Sequence, residues 1–252
     1  NLNSGALTSE VALASGTVLL AGGAGSTTIT MATGTAIRNN GTQGKAIFID
    51  GTANKAISIT NAGEIKATNH ANSIGIDVAD SDGGSSLALT NSGTLSAGAL
   101  GTAIKLSAGN NAAITNSGNI IGAISANSGD IDIINDAGSI AGNIILGSNA
   151  GSTLQINGGS ITGNITLNNA MQLLTFGGGS LSGTINGVGR VLVSADTTSL
   201  TIGSGANLSM SFGDGINATS LLVGSSAALA TSSFINSAIV MGSGSSLNLS
   251  DG

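Results

Sequence analysis

The chain has 252 residues, of which 41 are Gly and none is Pro, Cys, Trp or Tyr. Its formal net charge of −6 includes only six basic residues, which excludes the basic stripe a phosphate backbone requires, so no nucleic-acid partner is expected. With 7% charged and 40% hydrophobic residues it has the reverse of a disordered composition, and no run of about 18 apolar residues could cross a bilayer as a helix.

Residues 1–35 carry the frame Asn-small-Gly-x-Ile/Leu once, as Asn3-Ser-Gly5-Ala-Leu7, and are otherwise an irregular N-terminal part of the repeat. The stretch 11–25 is apolar but broken by glycine, and it follows Glu10 instead of the basic flank of a signal peptide. The chain is therefore expected to be an internal piece of a larger protein. From residue 36 the frame recurs as Asn61-Ala-Gly63-Glu-Ile65, Asn91-Ser-Gly93-Thr-Leu95 and Asn116-Ser-Gly118-Asn-Ile120, with Asn40-Gly41 fitting poorly. One phrase then repeats from 118 to 185: Gly118-Asn-Ile-Ile-Gly-Ala-Ile124, Gly138-Ser-Ile-Ala-Gly-Asn-Ile144, Gly159-Ser-Ile-Thr-Gly-Asn-Ile165 and Gly179-Ser-Leu-Ser-Gly-Thr-Ile185. Its anchor glycines, Gly118, Gly138, Gly159 and Gly179, recur at an almost constant interval. A fixed period built from strand and glycine units is the signature of a β-solenoid. The expected fold is all-β, a single-stranded parallel β-helix with about 20–23 residues per turn, its main body at 36–189.

Each repeat can be placed on strands. Ile57 and Ile59, Leu87 and Leu89, and Ile131 and Ile133 alternate with Ser, Thr, Ala and Asp, which puts the apolar side chains on one strand face. Asn and Gly then turn a corner. A short second strand carries Ile65, Leu95, Ile120, Ile140, Ile161 and Leu181, and a third begins at Ile124, Ile144, Ile165 or Ile185. Like residues stack from turn to turn about 4.8 Å apart. Asn61, Asn91 and Asn116 are thus expected to form an amide ladder at one corner, each bonding its neighbours. Gly63, Gly93, Gly118, Gly138, Gly159 and Gly179 share that corner, where left-handed backbone angles are expected. Phe48, Phe176, Phe212 and Phe234 read as core fillers, and Lys45, Lys55, Lys66 and Lys105 as exposed.

The early turns depart from this frame. The stretches from Gly63 to Ile76 and from Gly93 to Ile104 are each far longer than that from Gly118 to Ile124, which the three later phrases match. The extra residues fall at 67–73 and 97–102, and loops at one corner of a rod are where a solenoid carries specificity. Half of the charged residues lie between Arg38 and Asp82, and the single His, His70, is in the first loop. Candidate recognition residues are therefore Lys66, Asn69, His70, Asn72, Asp77, Asp80, Asp82 and Leu100. Residues 190–252 carry a second repeat, with phrases ending at Leu208, Leu229 and Leu247, and the rod is expected to continue through them.

The chemistry of catalysis is sparse. A nucleophilic triad has only His70 as base, and Gly159-Ser-Ile-Thr-Gly lacks the Lys and following helix of a phosphate cradle. Asp80-Ser-Asp82-Gly-Gly resembles part of a calcium loop but lacks its terminal bidentate Glu, so it reads as a solvated turn. Asp130, Asp132 and Asp136 read as outward strand and corner residues. A glycan-active enzyme would surround a carboxylate cluster with aromatic platforms, and the chain has four Phe alone. No catalytic residue, cofactor or metal is expected.

The phrases Ile59-Thr-Asn-Ala-Gly-Glu-Ile65, Leu89-Thr-Asn-Ser-Gly-Thr-Leu95 and Ile114-Thr-Asn-Ser-Gly-Asn-Ile120 resemble the passenger repeats of bacterial autotransporters of the type V secretion class. They are also similar to the repeats of filamentous-haemagglutinin-type exoproteins. The resemblance implies a right-handed helix, export to the surface of a Gram-negative bacterium or release from it, and a C-terminal outer-membrane barrel elsewhere in the full protein. It implies adhesion, auto-aggregation or biofilm formation, with other copies of the chain or host-cell and matrix molecules as partners. The alternatives are a structural spacer, filament or surface-layer subunit that stacks end to end and, after it, a glycan-active β-helix enzyme.

Overall fold

The computed structural model of the chain describes residues 6–9, 17–22, 25–50, 55–79, 83–107, 109–194, 200–212, 220–231 and 238–249. Asp80, Asp82 and Phe234 lie outside the described residues. Among the described residues every helix or strand is a strand, and the strands pair in parallel with their equivalents in the next repeat.

Three stacks result. The first runs Ala6–Ser9, Ala36–Asn39, Glu64–Ala67, Thr94–Ser96, Asn119–Ile121, Ser139–Ala141, Ser160–Thr162 and Ser180–Ser182. The second contains Lys45–Asp50, Ile74–Val78, Thr102–Leu106, Ala123–Ala126 and Ile144–Ile145. The third contains Ala56–Asn61, Ser86–Asn91, Asn111–Asn116, Ile131–Asn135 and Thr153–Ile156. Two long strands, Ile165–Phe176 and Thr184–Val193, serve the second and third stacks together. After Ser182 the described strands belong to the second and third stacks only. Parallel stacks of this kind are consistent with a β-solenoid.

The inward side chains form ladders because like residues sit at like register. Ile37, Ile65, Leu95, Ile120, Ile140, Ile161 and Leu181 are successive partners in the first stack. Ile47, Ile76, Ile104, Ile124, Ile144, Ile165, Ile185 and Ile202 do the same in the second. The members of these two ladders are buried apart from Leu181, which is half-buried. β-Branched Ile suits a pleated surface, and burying one fully contributes about 1.5–3 kcal/mol.

The register interval is not constant. Successive first-stack partners are Ala36, Glu64, Thr94 and Asn119, and then the more closely spaced Ser139, Ser160 and Ser180. Longer connections absorb the difference in the early repeats while the ladders stay in phase.

The amide ladder is present and one rung longer than the sequence frame suggests. Asn61 Nδ2 donates to Asn91 Oδ1 at 2.7 Å, Asn91 to Asn116 at 2.8 Å, and Asn116 to Asn135 at 2.8 Å. All four are fully buried. Their amides also clip the first stack, as in Asn61 Nδ2 to the carbonyl of Thr94 at 3.1 Å. Asn135 escapes the frame because one more residue separates it from Gly138 than separates Asn116 from Gly118.

The anchor glycines require one correction. Only Gly159 and Gly179 of the six have left-handed φ, at 69° and 74°. Gly93 is needed for close approach instead: a Cβ there would strike the carbonyl oxygen of Gly63 in the preceding repeat. Two side-chain expectations are also corrected. Lys55 is buried at 2% exposure, not exposed. Phe48 is not a core filler: it is half-buried, and Lys45 Nζ lies 3.6 Å from its ring centroid.

Candidate functional site

The connection from the first stack to the second separates early repeats from late ones. It spans residues 40–44, 68–73 and 97–101 in three successive early repeats. In the next repeat it is Gly122 alone, and later 142–143, 163–164 and Gly183. The sequence frame singles out two long connections; the segment 40–44 is a third, masked by the poor fit of Asn40-Gly41.

The three segments bond to one another as a ledge. Thr68 Oγ1 donates to the carbonyl of Asn39 at 3.1 Å, and Ser73 Oγ to that of Thr42 at 3.3 Å. Asn69 Oδ1 accepts from Leu100 N–H at 3.0 Å. The backbone repeats the pattern, with Ile74 N–H on the carbonyl of Gly44 at 3.1 Å and Thr102 N–H on that of Ser73 at 2.9 Å. Gly98 has φ 69°, and a Cβ there would run into the Asn69 side chain. These loops are therefore held by the same turn-to-turn pairing as the strands.

The candidate residues divide by position. Asn69, Asn72 and Leu100 are exposed on the ledge, and Leu100 is 67% exposed although apolar. His70 is half-buried; its Nδ1 accepts from Asn72 N–H at 3.3 Å, and its carbonyl from Ser73 N–H at 3.0 Å, so it braces its own loop. Lys66 is exposed on Glu64–Ala67, in register with Arg38, whose guanidinium pairs with Glu64 at 2.5 Å.

Asp77 is the correction. It is not a loop residue but lies on Ile74–Val78 at 2% exposure, in register between Phe48 and Lys105. Lys45 Nζ pairs with its Oδ2 at 2.6 Å, while Oδ1 is buried without a hydrogen-bond partner. The sequence groups it with Asp80 and Asp82 among the candidate recognition residues, yet it belongs to a strand that continues through Val78, and Lys45 lies on its carboxylate.

Beside the ledge is a depression of about 310 Å³ lined by Ala71, Asn72, Ile74, Thr102, Lys105 and Ser125. Register explains how residues as distant in the chain as Ala71 and Ser125 meet there: Lys105 partners Asp77 on one side and Ser125 on the other. Sequence reading treats Lys105 merely as exposed. The signal that locates it is its place directly after Ile104, which matches Ser125 after Ile124.

A second shallow groove of about 300 Å³ lies on the third stack between Ser86, Asn111 and Asp130 and between Ala88, Ala113 and Asp132. Asp132 accepts from Thr153 Oγ1 at 2.6 Å, and Asp136 from Asn157 Nδ2 at 2.8 Å. Among the described residues no group of three or more His, Cys, Asp or Glu could hold a metal ion. No protein-family model, no curated protein and no solved structure matches the chain.

Proposed function

We propose that this chain is a segment of a right-handed parallel β-helix, with about 20–23 residues per turn outside its long loops, displayed at or released from a bacterial surface. It acts in adhesion and self-association, and carries out no catalysis. The observation that supports this reading is the three-loop ledge. A rod whose later repeats bend at a point such as Gly122 devotes the whole of 68–73 to the same connection in an early one, and orders it by hydrogen bonds. Ordered, polar, weakly charged loops with an exposed Leu100 suit a contact assembled from many modest bonds, each contributing about 0.5–1.5 kcal/mol net. Repetition of such contacts along paired rods multiplies their effect. The partner is another copy of the chain or a host-surface or matrix molecule.

The test replaces 68–73 and 97–101 by short Gly-centred bends like that at Gly122 and measures sedimentation of the purified rod and aggregation of cells displaying it. Loss of both with parallel-strand structure intact supports the reading. Unchanged association assigns contact to another face, and ordered end-to-end filaments in electron micrographs favour the spacer alternative.

A further inference from the structure

We propose that the depression beside the ledge is a subsite for one acidic sugar, a uronate-type ring whose carboxylate pairs with Lys105 and whose hydroxyls meet Asn72, Thr102 and Ser125. This deepens the adhesion reading above and rests on it for its biological setting.

Charge comes first. Lys105 is exposed and makes no ion pair with any described residue, although Asp77 is its register partner. Asp77 is already engaged by Lys45 at 2.6 Å, which leaves the charge of Lys105 without a counterion in its row. This local cationic excess occurs in a chain of net charge −6 and selects an anion at this spot.

The walls narrow the class of anion. Thr102 and Ser125 offer hydroxyls and Asn72 an amide, groups that both donate and accept. Asp77 Oδ1 has no hydrogen-bond partner, and Asp77 shares an outward row with Lys105 and Ser125. That oxygen is sealed from solvent and Asp77 does not line the depression, so the preference for a sugar rests on the donor-and-acceptor groups of Asn72, Thr102 and Ser125 and on the apolar patch beside them. Ile74 and Ala71 add an apolar patch for the C–H face of a ring. The volume of about 310 Å³ is at the small end for ligand pockets and suits one residue of a glycan.

The test is titration of the ¹⁵N-labelled chain with sodium glucuronate, with glucose and inorganic phosphate as parallel probes. Amide shifts at Asn72, Thr102, Lys105 and Ser125 are expected to saturate with a Kd of about 1–10 mM for glucuronate, and at least about tenfold more weakly for the other two. Lys105→Met, at an exposed strand position, is expected to weaken glucuronate binding at least about tenfold while shifts elsewhere stay in place. Thr102→Val, which keeps the charge, is expected to weaken it less. Phosphate binding as tightly as glucuronate overturns the sugar class. No saturable shift, or equal binding by the Lys105→Met chain, overturns the site. Sedimentation without sugar is read separately: normal self-association together with absent glucuronate binding sinks the subsite and leaves the adhesion reading standing.

Discussion

The early and late repeats share one core and differ at two corners. Along the corner row the partners run Met31, Asn61, Asn91, Asn116, Asn135, Ile156, Phe176 and Val193. The middle of that row is a buried chain of amides, and its later part is apolar. At another corner the early repeats carry the ledge, whereas the later ones turn within a residue or two. A coil can therefore vary its corners freely so long as the inward ladders remain in phase. The polar corner lets a repeat clip the first-stack strand of the next, as Asn61 does at the carbonyl of Thr94 across an interval as long as that from Glu64 to Thr94. The two changes do not coincide: the connection at Gly122 is already a single residue, yet Asn116 still donates to Asn135 and to the carbonyl of Ser139, and apolar packing takes over the corner only from Ile156.

Phe176 is the most sensitive point of the apolar corner. Truncation to Ala removes the largest side chain of the apolar corner row and is expected to destabilise the rod by about 3–5 kcal/mol, read from urea unfolding. Asn91→Leu attacks the polar corner. It leaves Asn61 Nδ2 without its ladder acceptor and Asn116 Oδ1 without its donor, with an expected cost of about 2–4 kcal/mol. If Asn91→Leu proves neutral, apolar packing serves both regions equally and the ladder is dispensable.

A pair of glycines sharpens the reason for the corner residues. Gly159 and Gly205 have nearly the same φ, 69° and 72°. A Cβ at Gly159 would strike the carbonyl of Gly138, while nothing lies within 4 Å of one at Gly205. Gly205→Ala is expected to cost about 1–2 kcal/mol for the left-handed angle alone, and Gly159→Ala clearly more, as measured by hydrogen exchange in the affected repeats. Equal costs would remove close approach as the cause.

The smallest stability effect is expected on the ledge. Leu100→Ser exposes no core and is expected to change unfolding free energy by less than about 0.5 kcal/mol. Its effect belongs to self-association, measured by sedimentation, which is expected to weaken. A large loss of stability instead would show that Leu100 supports the ledge and does not present it.

Much of the coil is legible in the residues themselves. Alternation places Ile57, Leu87 and Ile131 inward, and like phase puts Asn61, Asn91 and Asn116 one above another. Asn135 escapes this pattern because a single extra residue before Gly138 shifts the motif but not the strand register. The two loops at 67–73 and 97–102 are visible as length, but their bonding through Asn69 is not. Asp77 reads as a candidate recognition residue close to Asp80 and Asp82, and its burial emerges only when Lys45 and Phe48 are brought beside it from the preceding repeat.

The all-strand architecture, the inward ladders and the corner amides follow from the residues alone, because a short period encodes side-chain direction wherever it repeats. Which residues of different repeats share an outward row is set by the assembled coil. That depends on the summed lengths of every connection between them, and no local pattern carries that sum. The ledge, the Lys45–Asp77 pair and the depression at Lys105 all arise from it.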